Sequence, residues 1–302
     1  RYLQVHSADQ ADVHDVVAEM RNVIDTYPDR VLIGEIYLPL ERLVTYYGNG
    51  LAGAHLPFNF QLIHTAWNAR EIASLIHDYE IALPEGGWPN WVLGNHDQPR
   101  IGARVGQDQA RLAAMLLLTL RGTPTLYYGD EIGLNKIEIA PELVQDPWEK
   151  NEPGLGLGRD PERTPMQWDS SHYAGFRKVE PWLPLGLSSS SCNVAALREI
   201  PRSILNLYRR LVDVRRKHLA LSVGDYAQLA VSSAQVLAYE REFGADRHVV
   251  VLNFGHCDCE VALPQTESPR CILLSTCLDR DGEAIGRILK LRPHEGVIVA
   301  YG

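Results

Sequence analysis

Cysteine is scarce in the 302 residues, five in all, and an odd number excludes a fully paired disulfide framework. Cys192, Cys257, Cys259, Cys271 and Cys277 show no C-x-x-C spacing, and H-E-x-x-H is absent too, so motif spacing leads us to expect no metal site. There is no Asn-x-Ser/Thr acceptor either. Positive charge is in deficit, 29 Lys and Arg against 38 Asp and Glu for a net −9, which excludes the basic footprint of a nucleic-acid or anionic-membrane binder. Long hydrophobic runs are missing as well: the longest, Leu112 to Leu120, falls far short of the ~20 residues that cross a bilayer. The chain opens on Arg1-Tyr2-Leu3 with no initiator Met and no signal-like stretch, so its natural N-terminus is expected upstream. The unpaired cysteine favours a reducing, cytoplasmic setting. What is present is ordinary for a globular protein, 45% hydrophobic and 22% charged, with length enough for one large domain or two smaller ones.

Periodicity divides the chain. Val13, Val16, Val17, Met20, Val23 and Ile24 recur at helical spacing until Pro28-Asp29 breaks the pattern. Val31-Leu32-Ile33 then reads as a strand buried on both faces and ending in Gly34-Glu35. The unit repeats: strands at 54–60, 91–93 and 124–128 alternate with helices at 67–81 and 108–120. Such alternation predicts βαβ units and a parallel sheet. From about Asn135 to Ser191 no period holds, and an irregular stretch of that length is usually functional. An amphipathic helix at 204–218 follows, and then short alternating runs separated by Gly, Asp and Pro predict an antiparallel sandwich. We therefore place a domain boundary near Leu221, dividing an α/β part, 1–221, from an all-β part, 222–302.

Chemistry in parallel sheets collects at the carboxyl ends of strands. Two acids sit there, Glu35 and Asp97. Taken alone, Glu35 reads equally as a paired or solvent-facing loop carboxylate. Asp97 reads alternatively as part of a capping cluster with Asn95, His96 and Arg100.

Four blocks in order break that balance: Ile33-Gly34-Glu35; Trp91-Val92-Leu93-Gly94-Asn95-His96-Asp97-Gln98-Pro99-Arg100; Gly122-Thr123-Pro124-Thr125-Leu126-Tyr127-Tyr128-Gly129-Asp130-Glu131; and Gly158-Arg159-Asp160-Pro161-Glu162-Arg163-Thr164-Pro165-Met166-Gln167-Trp168-Asp169. Together they resemble the α-glucosidase branch of the α-amylase family, glycoside hydrolase family 13. The resemblance implies the second half (strands five to eight) of a TIM (β/α)8 barrel followed by a C-terminal antiparallel β-domain. It also implies Glu35 as general acid/base, with a pKa raised by partial burial, and Asp97 as the aspartate that stabilises an oxocarbenium-like transition state. His96 matches the histidine that hydrogen-bonds the sugar, and Arg159 the arginine that closes the pocket in exo-acting members. Arg163 is a second candidate for that work, although a structural ion pair with Asp160 or Asp169 is the preferred reading, and for Asp130 and Glu131 we expect structural roles.

One element of the pattern is absent. The family's nucleophile sits in a Gly-Phe-Arg-x-Asp block upstream of the general acid, and none precedes Glu35. Gly175-Phe176-Arg177-Lys178-Val179-Glu180 lies in the irregular stretch with no strand before it. The resemblance thus implies a retaining α-glucosidase present as a fragment and inactive alone, acting on α-glucosidic oligosaccharides and partnered by its missing N-terminal half. No cofactor is implied, and a calcium site, if there is one, belongs to that missing half. Two alternatives stand beside this: a transglycosylating relative (a glucosyltransferase or a trehalose-forming isomerase), and a non-catalytic member resembling the heavy-chain subunits of amino-acid transporters.

Overall fold

The computed structural model describes residues 8–186 and 189–301, so residues 187 and 188 of the irregular stretch lie outside the described residues. Helix α1 spans Val13–Ile24, with Pro28 four positions beyond its end. Strand β1, Ile33–Ile36, pairs in parallel with β2, Leu56–Asn59, and Glu35 lies opposite Phe58. Short helices α2, Leu40–Leu43, and α3, Gln61–His64, flank β2. Helix α4, Ala69–Ala82, starts at Asn68, whose side-chain oxygen accepts the Glu71 N–H at 3.0 Å and so caps the first turn. Strand β3, Asn90–Val92, is buried throughout and pairs in parallel with β4, Thr123–Thr125. Between them lie α5, Ile101–Val105, and α6, Gln107–Thr119. The predicted alternation of strand and helix is present; β2 and β4 are three and two residues shorter than the runs that announced them, β3 is the same length, and β1 starts two residues later than its run.

Among the described residues, the 135–191 stretch holds one short α-helix, α7, Pro147–Asn151, among isolated 3-10 turns. Next come α8, Val194–Glu199, α9, Ile204–Lys217, and the one-turn α10, Leu219–Ser222.

The remainder is antiparallel: β5 (Asp225–Gln228), β6 (Val236–Phe243), β7 (Asp246–Asn253), β8 (Cys259–Ala262), β9 (Arg270–Ser275), β10 (Ile288–Leu291) and β11 (Gly296–Tyr301). Five strands form one sheet in the order β5-β6-β7-β11-β9, and β10 with β8 forms a second. Alternate residues of β6 and β7 serve different cores. Val236, Ala238, Val249 and Val251 meet Val261, Leu289 and Leu291 between the two sheets. Leu237, Tyr239, Val250 and Leu252 join the apolar side chains of α4, α6 and α9. Helix α6 is therefore covered on nearly every side, which accounts for the Leu112–Leu120 run. A Cβ placed on Gly296 would come within 3.0 Å of Leu112 and Met115 and 2.7 Å of Leu252, so β11 approaches the helix as closely as glycine allows.

Candidate active site

Strand β3 delivers Asn95, His96 and Asp97 to its carboxyl end, where Asn95 Oδ1 accepts the Asp97 N–H at 2.9 Å and closes an Asx turn. The Asp97 carboxylate, about one quarter exposed, faces two guanidinium groups from the irregular stretch. Its Oδ1 accepts from Arg163 Nη2 at 2.7 Å and Arg159 Nη1 at 3.1 Å, with His96 Nε2 at 3.4 Å. Among the described residues Oδ2 accepts no hydrogen bond. Arg163 Nε also donates to the His96 carbonyl at 3.0 Å, so one residue ties both backbone and side chain of the turn. The expected pairing of Arg163 with Asp160 or Asp169 is not what forms. Asp160 Oδ2 instead accepts the backbone N–H groups of Gln145 and Asp146, and Asp169 holds the Ser171 turn, which leaves Arg163 free to reach across to Asp97.

Arg159 is held from behind. Asp146 accepts its backbone N–H at 2.8 Å, its Nε at 2.7 Å and its Nη2 at 3.0 Å, and the guanidinium lies 4.9 Å from the centre of the Trp148 ring. These hydrogen bonds, the Arg159 side chain first, hold the Asp146 carboxyl well below the usual carboxylate range. The same Asp146 caps α7 through Trp148 N at 3.1 Å. Asp146 went unremarked in the sequence, although Asp146-Pro147 is a helix-start signature.

A buried frame supports the cluster from below. Arg100, fully buried, donates to the carbonyls of Tyr128 at 2.6 Å and Glu162 at 2.9 Å and lies over both tyrosine rings. Tyr127 and Tyr128 hydroxyls donate to the carbonyls of Glu162 and Thr164 at 2.8 and 2.7 Å. The segment carrying Arg159 and Arg163 is thereby fastened to the end of β4. Glu131 closes its own turn by accepting Gly129 N at 2.7 Å. Asp130 is buried beside Arg100 and Arg104, and that burial pushes its pKa up to about 7.

Glu35 stands apart from the ion-paired group. It lies on β1 and is exposed, and among the described residues its side chain makes no hydrogen bond or ion pair. The partial burial expected of it is therefore not found, because β1 pairs with β2 alone among the described residues and its other edge is open. Tyr37 connects it to the rest. Both Glu35 and Asp97 act electrostatically on the Tyr37 phenol, whose oxygen accepts from Asn95 Nδ2 at 2.7 Å and whose ring stacks on Phe60 at 4.1 Å.

Residues 3–224 match the family model for the α-amylase catalytic domain. The chain is 35% identical to Maltase A1 of Drosophila melanogaster over 265 residues, 83% of this chain and 46% of the relative. It is likewise 35% identical, over 82% of its length and 36% of the relative's, to the human amino acid transporter heavy chain SLC3A1. Among solved structures it superposes on an α-glucosyl transfer enzyme with a TM-score of 0.86 and 30% identity, over 97% of this chain and 55% of that one. The chain thus spans about half the length of the curated relatives it matches.

Proposed function

The chain belongs to the α-amylase family, glycoside hydrolase family 13, and from that premise we propose that it carries the acid-bearing part of a retaining, exo-acting α-glucosidase site for terminal α-linked glucose. The observation that carries this reading is the Asp97 cluster. Two guanidiniums and an imidazole converge on one carboxylate oxygen at the carboxyl end of a buried parallel strand, while the other oxygen stays open. Such a carboxylate is fixed in place and presents negative charge where an oxocarbenium-like transition state needs it. His96 beside it offers a hydrogen bond to the sugar, and Arg159, steadied by Asp146, walls the pocket. Glu35 supplies the proton to the leaving oxygen once the open edge of β1 is covered, since burial is what lifts a carboxyl into the range of a general acid.

No Gly-Phe-Arg-x-Asp block occurs before Glu35, so the nucleophile, and with it turnover, belongs to a segment N-terminal to Arg1. The first test is the coding sequence upstream of Arg1. An open frame encoding a strand that ends in that block supports the reading, and a closed frame or a replaced aspartate overturns it. Glucose release from maltose is the second. The 302-residue chain alone is expected to show none, and turnover abolished by Glu35→Gln in this chain would contradict the assignment of the nucleophile elsewhere.

Two further readings have specific support. The likeness to an α-glucosyl transfer enzyme favours transfer of glucose to a sugar hydroxyl in place of water; product analysis separates glucose from transfer products. The likeness to a transporter heavy chain favours an interaction module without catalysis, which a replaced nucleophile upstream would bring to the front.

A further inference from the structure

Two imidazoles and a carboxylate meet where α9 runs into the C-terminal sheet. His218 is the residue directly after α9; Asp246 and His248 lie two apart on β7, so their side chains share one face of the strand. Asp246 Oδ1 is 3.3 Å from His218 Nδ1 and 2.8 Å from His248 Nε2, and the three donor atoms fall within 4.8 Å of one another. The rings meet edge to face with centroids 4.5 Å apart. Asp246 Oδ2 accepts the Ala220 N–H at 2.9 Å, which fixes the carboxylate plane. His248 is 2% exposed, while His218 and Asp246 keep about 30% of their side chains open to solvent on one side.

We propose that His218, Asp246 and His248 bind a divalent transition-metal ion of the zinc type, with water filling the remaining coordination, and so clamp α9 to the sheet. Two imidazoles and one carboxylate are donors that zinc favours, at roughly 2.0–2.2 Å from the ion; tetrahedral ligands at that radius sit roughly 3.3 Å apart. The two separations to the shared oxygen match that spacing within half an ångström, and the two imidazole nitrogens lie within 4.8 Å of each other.

The His248 ring gives the independent reason. Its Nδ1 is buried and makes no hydrogen bond, and the backbone group that acts on the ring is the Val299 carbonyl. If Nε2 carries the proton and donates to Asp246, Nδ1 is left buried with an unused lone pair. If Nδ1 carries it, toward Val299, the Nε2 lone pair faces a carboxylate oxygen. Either neutral tautomer serves one nitrogen and fails the other. A metal on Nε2 with Nδ1–H directed at a backbone carbonyl serves both, which is the outer arrangement that metal-binding histidines ordinarily show. Motif spacing did not register this site because its donors come from two ends of a 28-residue interval that only folding closes. Among the described residues, the other grouping of this kind, Cys277, Asp279 and Glu295, has its carboxylates already engaged by Arg280 and Arg292.

The test is a calorimetric titration of the 302-residue chain with Zn2+ alone, after removal of metals with a chelator, alongside melting curves with and without the ion. We expect one ion per chain, a raised Tm, and an affinity at least about tenfold weaker in His218→Gln and in Asp246→Asn. Absence of stoichiometric binding overturns the proposal. So does binding that survives both substitutions. Co2+ in the unsubstituted chain reads the donors directly, whether or not the variants fold. Ligand-field bands without thiolate charge transfer are expected, and thiolate charge transfer overturns the assignment.

Discussion

Two aspartates show how position sets what a carboxylate does. Asp146 gathers three hydrogen bonds from Arg159, and its pKa is depressed in the folded chain. A depressed carboxylate contributes stability that is present above its unfolded value, about 3.9, and is lost as pH falls through the folded one. Asp146→Asn is therefore expected to lower stability at pH 7 by roughly 1–3 kcal/mol and to flatten the acid limb of a Tm-against-pH curve. An unchanged acid limb would show that Arg159 is not anchored this way. Asp130 behaves oppositely. Burial raises its folded pKa to about 7, so the folded chain holds a proton that the unfolded chain has lost between about pH 4 and pH 7. Stability accordingly falls as pH rises through that window and levels off above it. Asp130→Asn is expected to raise Tm at pH 8 and to gain much less at pH 5; equal gains at both would locate the effect in packing.

At the scale of elements, the junction between α6 and the C-terminal sheet rests on two arginines. Arg215 on α9 donates to the carbonyls of Leu118 at 2.9 Å, Leu120 at 3.0 Å and Leu221 at 2.7 Å, besides that of Gly122. Arg241 on β6, fully buried, donates to the carbonyls of Thr119, Leu221, Gly224 and Asp225. Both neutralise the carbonyl end of α6, where unpaired acceptors and the negative end of the helix dipole coincide. Arg241→Leu fills the volume but strands several buried acceptors, so we expect at least about 3 kcal/mol of destabilisation in urea melts. A loss under about 1 kcal/mol would mean water replaces the guanidinium.

Neither arginine stood out in the sequence, for the same reason that Asp146 and the Arg163–Asp97 pair did not: long-range partners leave no period. What was legible obeyed a local rule. Doubly buried strands β3 and β7 announce themselves as apolar runs, and α9 by its stripe of Leu205, Tyr208 and Leu211. Strand β10, Ile288–Leu291, is hard to read from the sequence, because four residues alternating exposed and buried give too little pattern against Lys290 and its charged neighbours. At the site, Asp97, His96 and Arg159 were legible through the four sequence blocks, and the structure brings these three together. Glu35 was legible as a strand-end acid, but its surroundings were not, since burial there depends on what covers β1.

The open side of β1 decides how the whole molecule behaves. Helix α1 is amphipathic yet buries no residue; Val16, Met20 and Val23 on its apolar stripe stay exposed, as do Val31 before β1, Ile33 at its start, and Leu126 and Tyr128 beyond β4. Two short parallel pairs with unpaired outer edges present backbone donors and acceptors that another strand can take up. Soluble monomers seldom carry large exposed apolar patches. Helix α6, by contrast, is wrapped by the C-terminal sheet. We therefore expect the isolated chain to self-associate through its α1–β1 side. Sedimentation velocity over a range of concentrations should show a rising mean mass, and paired charges at Val16→Lys and Val23→Glu should reduce it without disturbing the C-terminal sheet. A single monomeric species that melts cooperatively at every concentration would mean that the exposed stripe is tolerated, and would remove the main physical reason for a covering segment over Glu35.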